Sequence, residues 1–433
     1  MHKLQILIGS LTIFWLSTTA NAFTFKTWHL ANSATVVFYQ TSELPMLDIE
    51  LAFAAGSAYD GRKFGLSALT TNLLHQGSGS LNTTQIAEIL ANTGAQFNTD
   101  NNRDMAVLHL RTLTDPLAMT SAINTLALII NKPMFNYQAF IREKEQLLAA
   151  IAQRETSPAD IANVALFQSL YNDHPYAHPI LGTKATVTNI NHWEVRSFYK
   201  KYFVGANATL VLVGAIETKE AHHLARLLVG GLPKGGQVSI PKVHAAPKLA
   251  STTKIAFPST QTMLRLGQLG INHQDPNYFA LLVGNYILGG ENMISRLATE
   301  VREQRGLTYD INSQLLPMPG VGPFIIGLST KTNQLRTALA TTKQILLEFL
   351  KSGPSEKELV AAKQYLIGSF PLSFANNLNI ANALLKISFY KLPHEYLNTY
   401  IANIENVTQS DIQRSFTALI NPETMSQITV GKV

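Results

Sequence analysis

The chain repeats itself, and this limits its possible folds more than any other feature of its 433 residues. Arg196-Ser197-Phe198 returns as Arg414-Ser415-Phe416, 218 positions on. Each follows a polar helix start, Thr188-Asn189-Ile190-Asn191 or Val407-Thr408-Gln409-Ser410. Each leads to an alternating apolar strand ending in glycine, Ala208-Thr209-Leu210-Val211-Leu212-Val213-Gly214 or Met425-Ser426-Gln427-Ile428-Thr429-Val430-Gly431. The same offset lays Glu145-Gln146-Leu147-Leu148 on Lys363-Gln364-Tyr365-Leu366. Upstream it shortens to 212: Ile86-Ala87-Glu88-Ile89 meets Leu297-Ala298-Thr299-Glu300-Val301, shifted by one turn position, and Gly94 meets Gly306. An ordered series of this kind implies two homologous halves of about 200 residues each. Clustered Gly and Pro mark the join, from Gly230-Gly231-Leu232-Pro233-Lys234-Gly235-Gly236 through Pro241, Pro247 and Pro258. The expected organisation is a leader over 1–22, a first half over 23–229, a linker over 230–258 and a second half over 259–433.

The leader reads as a secretory signal peptide: Lys3, an apolar run over 4–16, and Ala20-Asn21-Ala22 as a cleavage site. The run is too short to span a membrane, and no later stretch reaches about 18 uninterrupted apolar residues. The mature chain is therefore expected to start at Phe23 and to reside in the periplasm or outside the cell. The complete lack of cysteine suits an oxidising compartment, since no disulfide can form there. It also excludes a lipoprotein, thiol catalysis, Cys-based zinc sites and iron–sulfur clusters. The net charge is +6, or about +5 without Lys3, and no dense Lys/Arg tract carries interleaved aromatics, so no nucleic-acid partner is expected. With 46% hydrophobic and 14% charged residues the chain is a packed globular protein, not a disordered one.

Within each half the patterns are mixed. Ile49-Glu50-Leu51-Ala52-Phe53-Ala54 and Met105-Ala106-Val107-Leu108-His109-Leu110 alternate like half-buried antiparallel strands. Helical spacing runs over 66–74, 84–92, 116–131 and 137–154. Ser157-Pro158-Ala159-Asp160 starts another helix, with Ser157 as N-cap and Pro158 at the first helical position. Paired strands with helices grouped between them give an α+β class: two homologous halves, each an antiparallel sheet with helices.

Several segments resemble one family. Gly56-Ser57-Ala58-Tyr59-Asp60 with Gly65-Leu66-Ser67-Ala68-Leu69-Thr70-Thr71-Asn72-Leu73-Leu74 is similar to the zinc-site helix region of the pitrilysin/insulinase family, the inverzincins that include the mitochondrial processing peptidase. Gly94-Ala95-Gln96-Phe97-Asn98 resembles the edge strand that follows it. Asp173-His174-Pro175-Tyr176 with Leu181-Gly182-Thr183 resembles a family turn. Leu288-Gly289-Gly290, Ser295-Arg296-Leu297 and the run from Val301-Arg302 to Thr308-Tyr309 resemble the second-half signature. The likeness spans 23–433 and implies a clam-shell of two peptidase-like halves.

An active member carries His-x-x-Glu-His on the helix: two His bind zinc and the Glu serves as general base. The positions that match hold Ala68, Thr71 and Asn72, and the third-ligand position, a Glu in a later helix, holds Ala150. Methyl groups and a carboxamide do not replace imidazole and carboxylate on zinc. His75 has no second His three or four positions away, and Glu143 and Glu145 are expected to turn to other faces of their helix than Ala150. No metal or other cofactor is therefore expected in this chain.

What survives of the family pattern is Arg302 and Tyr309, seven apart. The resemblance implies that this pair closes over substrate at the zinc. Arg302 is expected in the last turn of a helix, Gly306 as its left-handed C′ residue, and Tyr309 on the next strand. Similarity to two-chain bacterial members implies a division of labour. A homologous partner carries His-x-x-Glu-His and the zinc, this chain supplies Arg302 and Tyr309, and unfolded peptide is the substrate. The rival expectation is a retired peptidase fold serving as scaffold or peptide-binding protein, with Arg302 a solvated helix charge and Tyr309 ordinary packing. Asn98 and Thr99 read either as part of a peptide-pairing edge strand or as a loop–strand junction. Gly289-Gly290 reads either as a substrate-handling loop or as a tight turn needing φ > 0. His174 and His178, flanked by Pro175 and Pro179, read as surface-turn residues, and adjacent His222 and His223 face different ways.

Overall fold

The computed structural model describes residues 23–243, 251–290 and 293–432; the expected leader lies outside them. The first half runs β1 (Lys26–His29), β2 (Thr35–Gln40), β3 (Met46–Phe53), α1 (Leu66–Leu73), α2 (Thr83–Asn92), β4 (Gln96–Asn101), β5 (Ala106–Leu113), α3 (Pro116–Asn131), α4 (Tyr137–Arg154), α5 (Pro158–Tyr171), α6 (Lys184–Thr188), α7 (His192–Tyr202), β6 (Ala208–Gly214) and α8 (Thr218–Val229). The second runs β7 (Thr252–Ala256), β8 (Gln261–Leu269), α9 (Tyr278–Gly289), a π-helical turn (Ala298–Glu303), β9 (Asp310–Leu315), β10 (Pro323–Lys331), α10 (Leu335–Ser352), α11 (Glu356–Ser369), α12 (Asn377–Phe389), α13 (Tyr396–Asn406), α14 (Gln409–Leu419) and β11 (Ser426–Gly431). No helix among the described residues is long and apolar enough to cross a membrane.

Local chemistry sets many of the boundaries. Ser157 caps α5 by accepting from the Asp160 N–H at 3.3 Å, with Pro158 at the first position. Reciprocal capping boxes open α2 at Asn82, α11 at Ser355 and α14 at Thr408. Such caps satisfy backbone N–H groups that the helix itself leaves without partners.

The two sheets have strand orders β1-β2-β6-β3-β5-β4 and β7-β11-β8-β10-β9. Without β1 these are the same order, strand for counterpart strand. The sheets are not wholly antiparallel: β2 pairs parallel with β6, and β7 with β11. Each parallel pair joins the first strand shared by both halves to the last, so nearly a whole half forms the crossover. The Gly/Pro-punctuated stretch over 230–258 is not connection throughout, because β7 lies inside it and forms an edge of the second sheet.

The two halves exchange a helix. α5 of the first half packs on β8 and β11 of the second sheet, and α12 of the second half packs on β3 and β6 of the first. α5 and α12 are counterparts at the 218-residue offset. Leu166 of α5 shares a core with Ile325, Ile428 and Val430. Leu384 of α12 shares one with Val37, Ala52, Val211 and Val213. At Gly267 in β8, a Cβ would lie 2.9 Å from the Leu166 methyls, so glycine lets α5 settle onto the strand. The exchange also explains why β3 is buried from Leu47 to Phe53 rather than half-buried: its second face lies under α12.

Because each sheet depends on the other half for cover, residues 23–433 are expected to unfold in a single calorimetric transition. Leu166→Ala and Leu384→Ala, each at a fully buried position, should each lower stability by about 2–5 kcal/mol without splitting that transition. Two separated transitions would contradict the exchange.

Candidate functional site

Helix α1 carries Ala68, Thr71 and Asn72, three of the four positions that the resemblance assigns to the metal site. Its start is fixed by Asp60, whose carboxylate accepts from the Gly65 N–H and the Ser67 N–H, each at 2.7 Å. A carboxylate at a helix N-terminus complements the helix dipole. Gly65 has φ +96, and a Cβ there would meet the Leu181 carbonyl oxygen at 2.6 Å, so only glycine suits this corner. Ala68 and Thr71 are buried and Asn72 is half-buried. The Thr71 hydroxyl donates to the Ser67 carbonyl at 2.9 Å and accepts from Asn101 Nδ2 at 3.4 Å. Asn101 Nδ2 also donates to Ser67 Oγ at 2.6 Å, and Ser67 Oγ donates to the Ala55 carbonyl. The Thr71 hydroxyl is thus tied to Ser67 and Asn101, while Asn101 Oδ1 is buried with no hydrogen-bond partner among the described residues. Asn101, at the end of β4, belongs to this site although its sequence context singles it out only as a polar strand end.

Helix α4 packs along α1, and between them lies an open cavity of about 570 Å³. Asn72, His75, Gln76, Arg142, Glu143 and Gln146 line it. Glu143 is only 5% exposed. It does not turn away from the Ala150 side as expected: seven residues are close to two full turns, so Glu143 and Ala150 share a face. Exposed Glu145 does turn elsewhere. Burial raises the Glu143 carboxyl, offset in smaller part by Arg142 Nε at 3.8 Å. Burial lowers His75, and its Nδ1 has no hydrogen-bond partner. Among the described residues no group of three or more His, Asp or Glu side chains is placed to hold a metal ion. One imidazole and one carboxylate beside Asn72 do not make a zinc ligand set, so the residues present do not fit the family's metal.

The second half keeps different chemistry. Its counterpart of α2 is the π-helical turn, with Arg302 near the end. In the first half, the Gly94 N–H reaches Ala91 O at 3.0 Å and the Ala95 N–H reaches Leu90 O at 2.9 Å, a left-handed glycine cap. In the second half, the Gly306 N–H reaches Arg302 O at 3.0 Å and the Leu307 N–H reaches Val301 O at 2.9 Å. Each of these rings is one residue wider. Gly94 and Gly306 keep nearly the same φ, +66 and +59. Such π-bulges recur at functional sites, where they re-aim side chains. Among the described residues Arg302 makes no ion pair, and its Nη1 lies 2.8 Å from Met293 Sδ. Its neighbours Glu300 and Arg305 pair with each other. Tyr309 is 70% exposed and stands just before β9 rather than within it.

The remaining positions sort as follows. Exposed Asn98 and half-buried Thr99 lie within β4, the outermost strand of the first sheet, not at a loop junction. Neither Gly289 nor Gly290 has a positive φ. Gly289 is required by close approach instead: a Cβ would meet Leu297 Cδ1 at 2.6 Å and Ser313 N at 2.9 Å. His174 and His178 are not on the surface. Both are buried, His174 Nε2 bonding the Pro241 carbonyl at 2.8 Å and His178 stacking on Phe64 at 4.2 Å. The connecting segment over 237–243 closes over this turn, which no local pattern foretells.

Glu143 gives this site a pH signature. Its folded pKa lies above the unfolded value, so its contribution to stability is full below the ordinary carboxylate range and is lost as pH rises through the raised pKa. Glu143→Gln should match wild type in Tm near about pH 4 and exceed it near about pH 8. A Tm difference that stays constant over that range would show that the carboxyl is not perturbed.

Comparison with known proteins places this frame. Residues 35–184 match the family model described as insulinase (peptidase family M16), and 189–366 the one described as peptidase M16 inactive domain. The crystal structure of a peptidase M16 inactive domain from Pseudomonas fluorescens is 35% identical with TM-score 0.91, covering 94% of this chain and 98% of that one. The Helicobacter pylori protein named non-peptidase homolog YmxG is 26% identical over 381 residues, 87% of each chain. The Bacillus subtilis protein named uncharacterized zinc protease YmxG is 24% identical over 389 residues, 88% of this chain and 93% of that one. The chain thus belongs to peptidase family M16, the insulinase family, as a member whose own zinc-site positions are retired.

Proposed function

We propose that this chain is the zinc-less subunit of an exported two-chain metallopeptidase, and that its Arg302 and Tyr309 engage peptide bound at the zinc of a homologous subunit bearing His-x-x-Glu-His. The observation that carries this reading is the contrast between the halves. The first half holds Thr71, one of the four positions that the resemblance assigns to the metal site, in a network with Ser67 and Asn101. The second keeps a guanidinium with no ion pair among the described residues and a Tyr 70% exposed, neither of which serves the core. Arg302 holds a substrate carbonyl or carboxylate. Tyr309 donates its phenol hydrogen to the oxyanion as that charge develops. The outer edge of β4, with Asn98 and Thr99, offers backbone groups to an extended peptide. Gly289 lets the end of α9 approach Ser313 of β9 closely. Zinc is held by the partner alone, and the leader over 1–22 directs the chain to the periplasm or beyond.

The alternative is a retired peptidase fold acting as scaffold or peptide-binding protein. The closed network on α1 and the relative named non-peptidase homolog favour it. Affinity capture of the mature chain from envelope extract separates the two: the first predicts a near-equimolar homologue with His-x-x-Glu-His and peptidase activity of the pair only. In that pair, Arg302→Ala and Tyr309→Phe should each lower kcat by about 10²–10³ while the subunits still associate. Full activity of both variants would remove the assigned roles, and a chain captured without any homologue would leave the scaffold.

A further inference from the structure

A second cavity, of about 430 Å³, lies where the two halves and the connecting segment meet. Tyr59 and Asn207 of the first half border it, the segment over 237–242 crosses it, and His273, Tyr390 and Lys391 of the second half close it. Its size is that of a small-molecule site, and its position between two halves is where such sites occur.

Its charge has one sign. Among its lining residues no Asp or Glu occurs, while Lys242 and Lys391 both line it. The buried carboxylate of Asp104 lies at the Tyr390 hydroxyl and is not part of the lining. It is occupied by the hydroxyls of Tyr390 at 3.1 Å and Tyr176 at 2.8 Å.

Its wall is flat and unsatisfied. His273 stacks on Tyr390 with ring centroids 3.8 Å apart and planes 23° apart. His273 Nε2 is shut away from solvent and has no hydrogen-bond partner. Burial, and secondarily the charge of Lys386, hold this imidazole down to a pKa of about 3, so it is neutral.

We infer that this cavity binds a small organic carboxylate with an aromatic body, the carboxylate facing Lys242 and Lys391 and the ring lying against the His273–Tyr390 stack. Such a ligand contacts both halves and the connecting segment, so its binding favours the arrangement in which they are closed on one another. The inference is independent of the role given to Arg302 and Tyr309.

The test titrates the mature chain with N-acetyl-phenylalanine, its amide, and a short peptide ending in phenylalanine as free acid. Binding is read by calorimetry and Tm. The free acid should bind saturably and raise Tm by a few degrees, and the amide should bind at least about tenfold more weakly. K242M/K391M, which changes two exposed side chains, should bind the acid at least about tenfold more weakly with its unliganded Tm unchanged. Binding of the peptide acid as well would make a peptide C-terminus the source of the ligand; binding of the small acid alone would make it a free metabolite-sized carboxylate. Equal binding of acid and amide, wild-type affinity in the double variant, or no binding of either acid at millimolar concentration would overturn the proposal.

Discussion

Everything else in this structure rests on the exchange of α5 and α12 between the halves. Each sheet has one face under its own helices and the other under a helix from the opposite half. Without the exchange, Val37, Val211 and Val213 on one sheet, and Ile325, Ile428 and Val430 on the other, would face water. Burial of such side chains is worth about 1.5–3 kcal/mol each, so a lone half would carry a large apolar liability. Polar groups tie the same junction. Asp104 of the first half accepts from Tyr176 of its own half and from Tyr390 of the other. Its burial raises the carboxyl, and the two phenol hydrogen bonds work against that rise.

On this duplicated frame the two halves have diverged in chemistry. Between α1 and α4 the lining is polar: Asn72, His75, Glu143 and Gln146. At the matching place between α9 and α11 it includes Tyr286, Ile287, Ala361 and Ala362. The 218-residue offset puts Ala361 where the first half has Glu143. Likewise α2 ends in an ordinary left-handed glycine cap, while its counterpart is widened into a π-turn that carries Arg302. Duplication conserved the hydrogen-bonded scaffold, and function was free to differ because side chains facing a cavity add little to the core.

Much of this was legible in the residues because it depends on neighbours in sequence. The bounds of α3 and α4, the Ser157 cap and the order of helix, Gly306 and strand all follow from local hydrogen bonding and backbone geometry. The expectation that Ala68, Thr71, Asn72 and Ala150 hold no zinc rests on side-chain chemistry at positions the resemblance assigns, and needs no coordinates. Glu143 is legible too: a seven-residue spacing keeps it on the helical face of Ala150, against the expectation that it turns elsewhere.

The sequence by itself determined the duplication, the α+β class, the limits of α3 and α4 and the start of α5. Only the tertiary structure decided which helix covers which sheet, since an apolar helix face is equally suited to either. It also decided that β7 joins the second sheet, that His174 lies beneath the connecting segment and His178 against Phe64, and that Asn101 reaches Thr71. These contacts join residues tens to hundreds of positions apart, and no local pattern records which distant surface a side chain will meet.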